Sequence, residues 1–142
     1  MKKKQQQSDT PIENMAAVAR AASKTCRCFH ARMEARRLTR TYDEALRPSG
    51  LRITQFTVLS AVIGGAGKLN ITELAELTGM DRTTYSRSLG PLLRQGLIQH
   101  TEELSGRDRG VVMTEEGLKR YGIAIPLWSH VQKEHGVKVM PI

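Results

Sequence analysis

Capping residues and glycines divide residues 54–96 into short helical segments, and this division constrains the fold more than any other feature. Thr54 is placed to cap a first helix with apolar side chains at positions 56, 59 and 62, which a cluster of glycines ends. Asn70 and Glu73 have the spacing of a capping box, and Gly79 ends the second helix that they begin. A third segment follows at once. Three short helices in succession, two of them joined by a glycine turn, predict a helix-turn-helix unit.

The third segment, "RTTYSRSLGPLLR" (residues 82–94), separates apolar from polar side chains, and Asp81 is positioned to cap it. At about 100° per residue, the apolar side consists of Tyr85, Leu89, Leu92 and Leu93. The other side presents hydroxyl and guanidinium groups without an acid, from Thr83, Thr84, Arg87 and Arg94. These groups suit thymine methyls and the adenine and guanine edges in a DNA major groove, and we expect a kink at Pro91 to turn the second half away from the duplex. The alternative is an exposed helix that happens to lack acids.

Two short strands are predicted directly after the third helix. "LIQHTEE" (97–103) and "GVVM" (110–113) flank the turn "LSGRDRG", which predicts a β-hairpin, or wing. Arg107 and Arg109 flank Asp108 in this turn, where an arginine can enter an adjacent minor groove and Asp108 can orient it. A solvated loop is the alternative interpretation.

Residues 12–47 hold one long helical pattern, which "RPSG" ends. Apolar residues recur along it at alternating spacings of three and four, the heptad pattern, at Ile12, Met15, Ala19, Ala22, Cys26, Phe29 and Met33. This seam is narrower than the face of a helix that lies on its own globular core. It therefore favours packing against a second copy of the chain, although packing within the chain stays open.

Charge alone is weak support for a nucleic-acid partner. The formal net charge is +8, and the excess lies mainly in residues 20–47, with eight Lys or Arg against three Asp or Glu. Residues 80–112 carry five Lys or Arg against four Asp or Glu, so this segment is nearly neutral. An interpretation as a DNA-binding protein therefore depends on where particular arginines lie. The 142 residues fit one domain without a second, catalytic domain. No apolar run reaches the roughly 20 residues of a membrane span, and two cysteines fit a reducing cytoplasm.

Several segments together resemble the MarR family of winged-helix bacterial transcription regulators, in the family's order. They are "LRITQFTVL" (51–59), "ITELAELTGMDRTTYSRSLGPLLRQGLI" (71–98), "GRDR" (106–109), "MTEEG" (113–117) and "PLWSHVQ" (126–132). The resemblance implies a homodimer with paired terminal helices, whose two winged domains bind a pseudo-palindromic operator in double-stranded DNA. It further implies repression that ends when a small phenolic or lipophilic ligand, or oxidation of a cysteine, changes the spacing of the two domains.

By this resemblance, the residues of the third helix that face bases or phosphates are Arg82, Thr83, Thr84, Ser86 and Arg87, and those of the wing are Arg107 and Arg109. The segment from Arg109 to Thr114 is about two residues shorter than in the family, which predicts a stunted return strand. Little chain follows residue 134, so the seam has to contribute more of the dimer contact.

The expected fold is mainly α with a small β-wing: a winged helix-turn-helix domain plus terminal dimerisation helices. Its parts are a disordered tail (1–9), an N-terminal dimerisation helix (10–47), the winged helix-turn-helix domain (51–114) and a C-terminal helix returning to the dimerisation region (115–142). Thr114, followed by two glutamates, is placed to cap that last helix.

Other chemistry has less support. On a regular helix Cys28 points away from Cys26 and His30, which excludes a structural metal site within one chain and a bond between the two cysteines. Redox sensing through Cys26 remains an alternative to a small core cysteine. An enzyme is unsupported, because no nucleophile or carboxylate lies at catalytic spacing from a histidine, and no cofactor is expected.

Five arginines on the N-terminal helix have two possible interpretations: they line a pocket for an anionic effector, or they form a solvated or phosphate-adjacent face. These residues are Arg27, Arg32, Arg36, Arg37 and Arg40. The competing class of function is a winged-helix module that binds an acidic protein and no DNA.

Overall fold

The computed structural model describes residues 10–105 and 108–136. In chain order the elements are α1 (Pro11–Thr25), α2 (Arg27–Leu46), a 3₁₀ turn (Arg47–Ser49), α3 (Ile53–Gly65), α4 (Ile71–Thr78), α5 (Arg82–Arg94), β1 (Ile98–Ser105), β2 (Asp108–Met113) and α6 (Glu115–His135). The chain forms two compact units, Met1–Leu38 and Thr39–Ile142. The mainly α fold with a β-wing is confirmed, whereas the predicted disordered tail (1–9) lies outside the described residues.

The prediction of one continuous helix over residues 12–47 is wrong. Cys26 has an extended backbone (φ −69°, ψ 110°) and ends α1, and α2 begins at the next residue. At this end of α1 the Thr25 hydroxyl donates to the Ala21 carbonyl at 2.8 Å, and the Lys24 carbonyl, which has no partner within the helix, accepts from His30 Nε2 at 2.9 Å. The seam is therefore divided between two helices.

The start of α3 also differs from the expectation that Thr54 caps it. Arg52 is the capping residue, and its N–H donates to the Gln55 side chain at 3.1 Å. The next N–H, that of Ile53, donates to Asp43 Oδ1 at 2.8 Å. A carboxylate from α2, ten residues earlier in the chain, thus supplies the acceptor that a local hydroxyl was expected to supply.

The core lies within the second unit and is centred on α3. Phe56, Leu59 and Val62 of this helix are buried. Phe56 stacks on Tyr121 of α6 with ring centroids 4.9 Å apart and on Trp128 at 5.5 Å. Helix α6 thereby covers one side of α3, and α4 and α5 also pack against α3.

The wing is an antiparallel pair in which Ile98 lies opposite Met113 and His100 lies opposite Val111. Both strands extend beyond the predicted segments, so the turn is shorter than "LSGRDRG". The return strand has six residues, and the prediction of a stunted strand is wrong. A bulged register further along the ladder accommodates the added residues.

Helix α6 begins as the sequence predicts, since the Thr114 side chain accepts the Gly117 N–H at 3.1 Å. It contains Pro126 and continues to His135. Within residues 10–105 and 108–136, the helices include none long and apolar enough to cross a membrane.

Candidate nucleic-acid interface

Local caps fix the two helices of the helix-turn-helix. Asn70 and Glu73 form a reciprocal capping box at the start of α4, with both hydrogen bonds at 2.9 Å. Gly79 ends α4 in a left-handed conformation (φ 68°), which glycine adopts without the steric cost of a side chain. Asp81 then caps α5 through its contact with the Thr84 N–H at 2.9 Å. These three predictions from the sequence are confirmed.

Burial of one side of α5 fixes the direction of the other side. Tyr85, Leu89 and Leu92 are at most 2% exposed, and Leu93 packs partly against the same core. The predicted apolar side is therefore confirmed. Helical conformation continues through Pro91 to Arg94, so the proline does not interrupt the helix. Rotation of α5 about its axis would expose these apolar side chains to water. Because that exposure is unfavourable, the polar side of α5 stays directed toward solvent.

Five residues at the start of α5 form the surface that we name the recognition face, and all five are exposed: Arg82, Thr83, Thr84, Ser86 and Arg87. Neither arginine of this surface forms an ion pair with another residue in the described part of the chain. Both guanidinium groups are thus open to an external anion or base edge. The structure brings these sequence-predicted residues together on one short stretch of helix.

The carboxylate of Asp81 lies at the end of the recognition face and engages Thr84 twice. Besides accepting the backbone N–H, it accepts the Thr84 hydroxyl at 2.6 Å. The side-chain hydrogen bond, followed by the backbone one, lowers the pKa of Asp81 below its ordinary value. Sequence reasoning identified Asp81 as a cap but missed that it also occupies a hydroxyl of the recognition face. The spacing of Asp81 and Thr84, that of a cap and its N3 residue, was the available signal.

Of the two arginines predicted for the wing, one lies among the residues whose side chains the structure describes. Arg109, in β2, is exposed. Arg107 and the side chain of Asp108 lie outside the described residues, so the predicted orientation of an arginine by Asp108 does as well. The helix-turn-helix and its wing are nevertheless both present within the second unit.

The same part of the chain matches a family model. That model describes the MarR family and matches residues 49–109. The transcriptional regulator MosR of M. tuberculosis is 38% identical, with a TM-score of 0.68, and the likeness covers 80% of this chain and 82% of that chain. The chain belongs to the MarR family.

Further solved structures of MarR-like regulators support this assignment. MosR in complex with DNA matches with a TM-score of 0.70 and 38% identity over 78% of this chain and 84% of that chain. CouR of Rhodococcus jostii RHA1, bound to p-coumaroyl-CoA, is 23% identical with a TM-score of 0.64 over 78% and 79% of the two chains, and this likeness shows the fold alone. No curated protein sequence matches significantly. The chain is thus a winged helix-turn-helix regulator of transcription.

In this MarR-family chain, the predicted seam lies on the surface of the first unit. Helix α1 has no buried residue, and Ile12, Met15 and Val18 are 76%, 70% and 69% exposed. Phe29 and Met33 of α2 are also exposed. Ala19, Ala22 and Cys26 complete the predicted set and are exposed too. The side chains that the heptad pattern selects are therefore exposed within the described part of the first unit.

Cys26 and Cys28 are free and exposed. The continuous helix assumed in the sequence argument is interrupted at Cys26, but the two cysteines are not bonded to each other, as expected. His30, considered as a partner for Cys26, instead binds the Lys24 carbonyl. In residues 10–105 and 108–136, no group of three or more His, Cys, Asp or Glu side chains is placed to hold a metal ion.

The basic residues of α2 have separate surroundings. Arg37 forms a two-pronged ion pair with Glu34 at 2.9 and 2.6 Å. Arg40 lines a cleft of about 400 Å³ together with Arg47 and Arg52. Arg27, Arg32 and Arg36 are exposed, and they are not among the residues that line this cleft. The five arginines predicted to share one anionic pocket do not share this cleft.

Proposed function

We propose that this chain binds a pseudo-palindromic operator in double-stranded DNA as a cytoplasmic homodimer, and that it represses transcription until a small ligand releases it. The observation that carries the proposal is the recognition face: exposed hydroxyl and guanidinium groups on a helix whose opposite side is buried in the core. A chain with 38% identity, MosR, has been solved in complex with DNA, which supports DNA binding by this chain.

The chemistry of the recognition face suits base readout. An α-helix fits the major groove, where an arginine can donate two hydrogen bonds to guanine O6 and N7. Arg87 is exposed, and the residue one turn before it, Thr83, lies on the same side of α5. The five side chains of the recognition face include no acid, and the carboxylate at its end, Asp81, is engaged by Thr84. We assign Arg87 to a base edge and Arg82 to a base or a nearby phosphate.

Dimer formation through α1 and the first part of α2 explains the exposed seam. Exposed apolar side chains on these helices favour burial against a second copy, which removes their surface from water. Two winged domains held by such a contact bind half-sites about one helical turn of DNA apart, so the operator is expected to be a pseudo-palindrome.

The first test compares Arg87→Ala with Lys119→Ala, a control that removes one exposed positive charge from α6 instead. On an operator obtained by selection from random DNA, we expect Arg87→Ala to lose about 1–3 kcal/mol of binding free energy and to relax the sequence preference at one position per half-site. Arg87→Lys keeps the charge and is expected to lose the preference as well, since a lysine does not form the two-pronged contact. Lys119→Ala should leave the binding free energy and the sequence preference unchanged.

Gel retardation and repeated selection with each variant measure affinity and preference separately. An Arg87→Ala protein that binds all sequences equally less well would assign Arg87 to a phosphate. A folded wild-type dimer that selects no sequence and retards no fragment at low salt would contradict DNA binding and favour the protein-interaction module.

The effector part of the proposal rests on a comparison with one ligand complex. CouR, of the same fold, has been solved with p-coumaroyl-CoA. We therefore expect phenolic acids or their coenzyme A thioesters to release the complex of this chain with its operator, as measured by loss of gel retardation during titration. A complex that persists at saturating concentrations of both classes would contradict this effector class and leave DNA binding intact.

A further inference from the structure

Two adjacent threonines of the recognition face differ in what their hydroxyl groups are free to do. Thr83 and Thr84 are both exposed near the start of α5. The Thr84 hydroxyl lies 2.6 Å from Asp81 Oδ2. The Thr83 hydroxyl has no hydrogen-bond partner among the described residues. The two side chains are chemically identical, and Asp81 alone distinguishes them.

The direction of the Thr84 hydrogen bond follows from its partner. An ionised carboxylate only accepts, so the Thr84 hydroxyl donates its single proton to Asp81. The other carboxylate oxygen accepts the Thr84 N–H at 2.9 Å, which ties the backbone and side chain of Thr84 to one group. The lowered pKa of Asp81 agrees with a carboxylate that stays ionised in neutral solution. Thr84 therefore has no proton left to donate to a base.

This arrangement also fixes the rotamer of Thr84. A threonine has a hydroxyl and a methyl on the same carbon, so anchoring the hydroxyl fixes the methyl. The exposed side chain then carries a methyl group of fixed direction, which can contact DNA without the entropy cost of ordering it on binding. In the major groove, the apolar group that a base pair presents is the C5-methyl of thymine.

We propose that Thr84 selects a thymine in each half-site by contact between its methyl and the thymine C5-methyl, with Asp81 as the residue that positions it, while Thr83 contacts DNA through its free hydroxyl. This inference rests on the proposed binding of operator DNA by the recognition face. It assigns opposite roles to two neighbouring side chains of the same type, and Asp81 is the cause of the difference.

The experiment replaces each thymine of the selected operator in turn with deoxyuridine, which removes only the C5-methyl. Loss of one methyl contact is expected to weaken wild-type binding roughly fourfold at one position per half-site. Thr84→Val keeps a methyl but cannot bond to Asp81, so its thymine-over-uracil ratio is expected to fall because the methyl is no longer positioned. Thr84→Ser keeps the hydroxyl and its bond to Asp81, lacks the methyl, and is expected to bind thymine and uracil equally at that position.

Thr83 provides the matched control. Thr83→Ser is expected to bind like the wild type, and Thr83→Val to bind less tightly at every thymine and uracil combination, because it lacks the free hydroxyl. Asp81→Ser tests the positioning role. Serine still caps the helix, yet its single side-chain oxygen accepts the Thr84 N–H and leaves no second oxygen for the Thr84 hydroxyl, so the thymine-over-uracil ratio should fall while the helical circular dichroism remains.

Three results would overturn the inference: wild-type binding that is indifferent to uracil at every position, Thr84→Ser that retains the ratio, or Asp81→Ser that retains it with the helix intact. In each case the wild type still binds its operator, so the proposed regulator function stands. Failure of the wild type to select or retard any DNA is a separate outcome, and it would overturn the function and this inference together.

Discussion

The two compact units of this chain use similar side chains in opposite ways. In the first unit, α1 has no buried residue, and Ile12 and Met15 are at least 70% exposed. In the second unit, Leu59 and Leu92 are 0% exposed. Apolar side chains at helical spacing thus build a core in one unit and an uncovered surface in the other. Periodicity shows that a helix has an apolar side, and only the contacts show what covers that side.

Local signals do not account for the difference, because both units have well-capped helices. Thr10 and Glu13 form a capping box at α1, as Asn70 and Glu73 do at α4. A cap selects where a helix begins, whereas an isolated helix of about 15 residues is marginal in water without packing. The second unit is therefore stabilised by its own core, and we infer that the first gains its stability from a partner surface.

The prediction with the largest expected effect applies the same kind of truncation to both units. Leu92→Ala should lower the free energy of unfolding by about 2–5 kcal/mol at any protein concentration, since it opens a cavity in a closed core. Met15→Ala should act by weakening self-association, so its effect should depend on protein concentration. Urea unfolding at several concentrations, with light scattering, measures both.

Ala17→Asp serves as the control for the first unit, because Ala17 lies on the side of α1 opposite to the seam and is exposed. It should leave self-association unchanged. A Met15→Ala loss that is as large as that of Leu92→Ala and independent of concentration would contradict the division between a self-sufficient unit and a dependent one.

The same division explains which parts of the fold were predictable. The caps of α4, α5 and α6 depend on residues three positions apart, and the sequence predicted all three. The start of α3 was missed because Asp43, ten residues earlier, accepts the Ile53 N–H. The break at Cys26 was missed because a heptad pattern continues across it. Contacts beyond one helical turn are not readable from spacing.

The sequence predicted the candidate site about as completely as it predicted the fold. Burial of Tyr85, Leu89 and Leu92 follows from helical periodicity, and it fixes the opposite side as the exposed one. What periodicity does not reveal is the state of each polar group on that side. Thr84 and Thr83 have the same side chain, and the hydrogen bond to Asp81, at the spacing of a cap and its N3 residue, separates them.

A smaller effect on stability is expected from replacing glycines in the second unit, and it tests how closely the elements around the core are packed. A Cβ at Gly117 would overlap the Leu97 carbonyl, because the start of α6 lies against the start of the wing. Gly117→Ala should therefore destabilise the protein by about 1–3 kcal/mol. Gly122, on the same helix, has no neighbour that a Cβ would meet.

Gly122→Ala is thus the matched control, and it should stabilise the protein by up to about 1 kcal/mol because alanine favours the helix. Thermal unfolding of the two variants gives the comparison directly. Equal effects of the same sign would show that close approach at Gly117 does not limit the packing of α6 against the wing.

The smallest expected effect concerns a polar atom inside the closed core. The Tyr85 hydroxyl is buried without a hydrogen-bond partner among the described residues. Tyr85→Phe should therefore change the free energy of unfolding by no more than about 1 kcal/mol near neutral pH, and in the stabilising direction. Tyr121→Phe is the control, because the Tyr121 hydroxyl lies 3.0 Å from Ser60 Oγ, and losing that contact should cost about 0.5–1.5 kcal/mol.

Alkaline unfolding gives this comparison its pH dependence. Burial raises the pKa of Tyr85 to about 12, from an ordinary value of 10.0. The neutral phenol is favoured in the folded state, so its contribution to stability is complete below pH 10 and is lost as the pH rises from about 10 to about 12. Tyr85→Phe has no phenol to ionise and should lose less stability over this range than the wild type. Parallel losses in urea unfolding at pH 9 and pH 11 would show that the Tyr85 hydroxyl reaches solvent, and that the core beneath the recognition face is less closed than its contacts indicate.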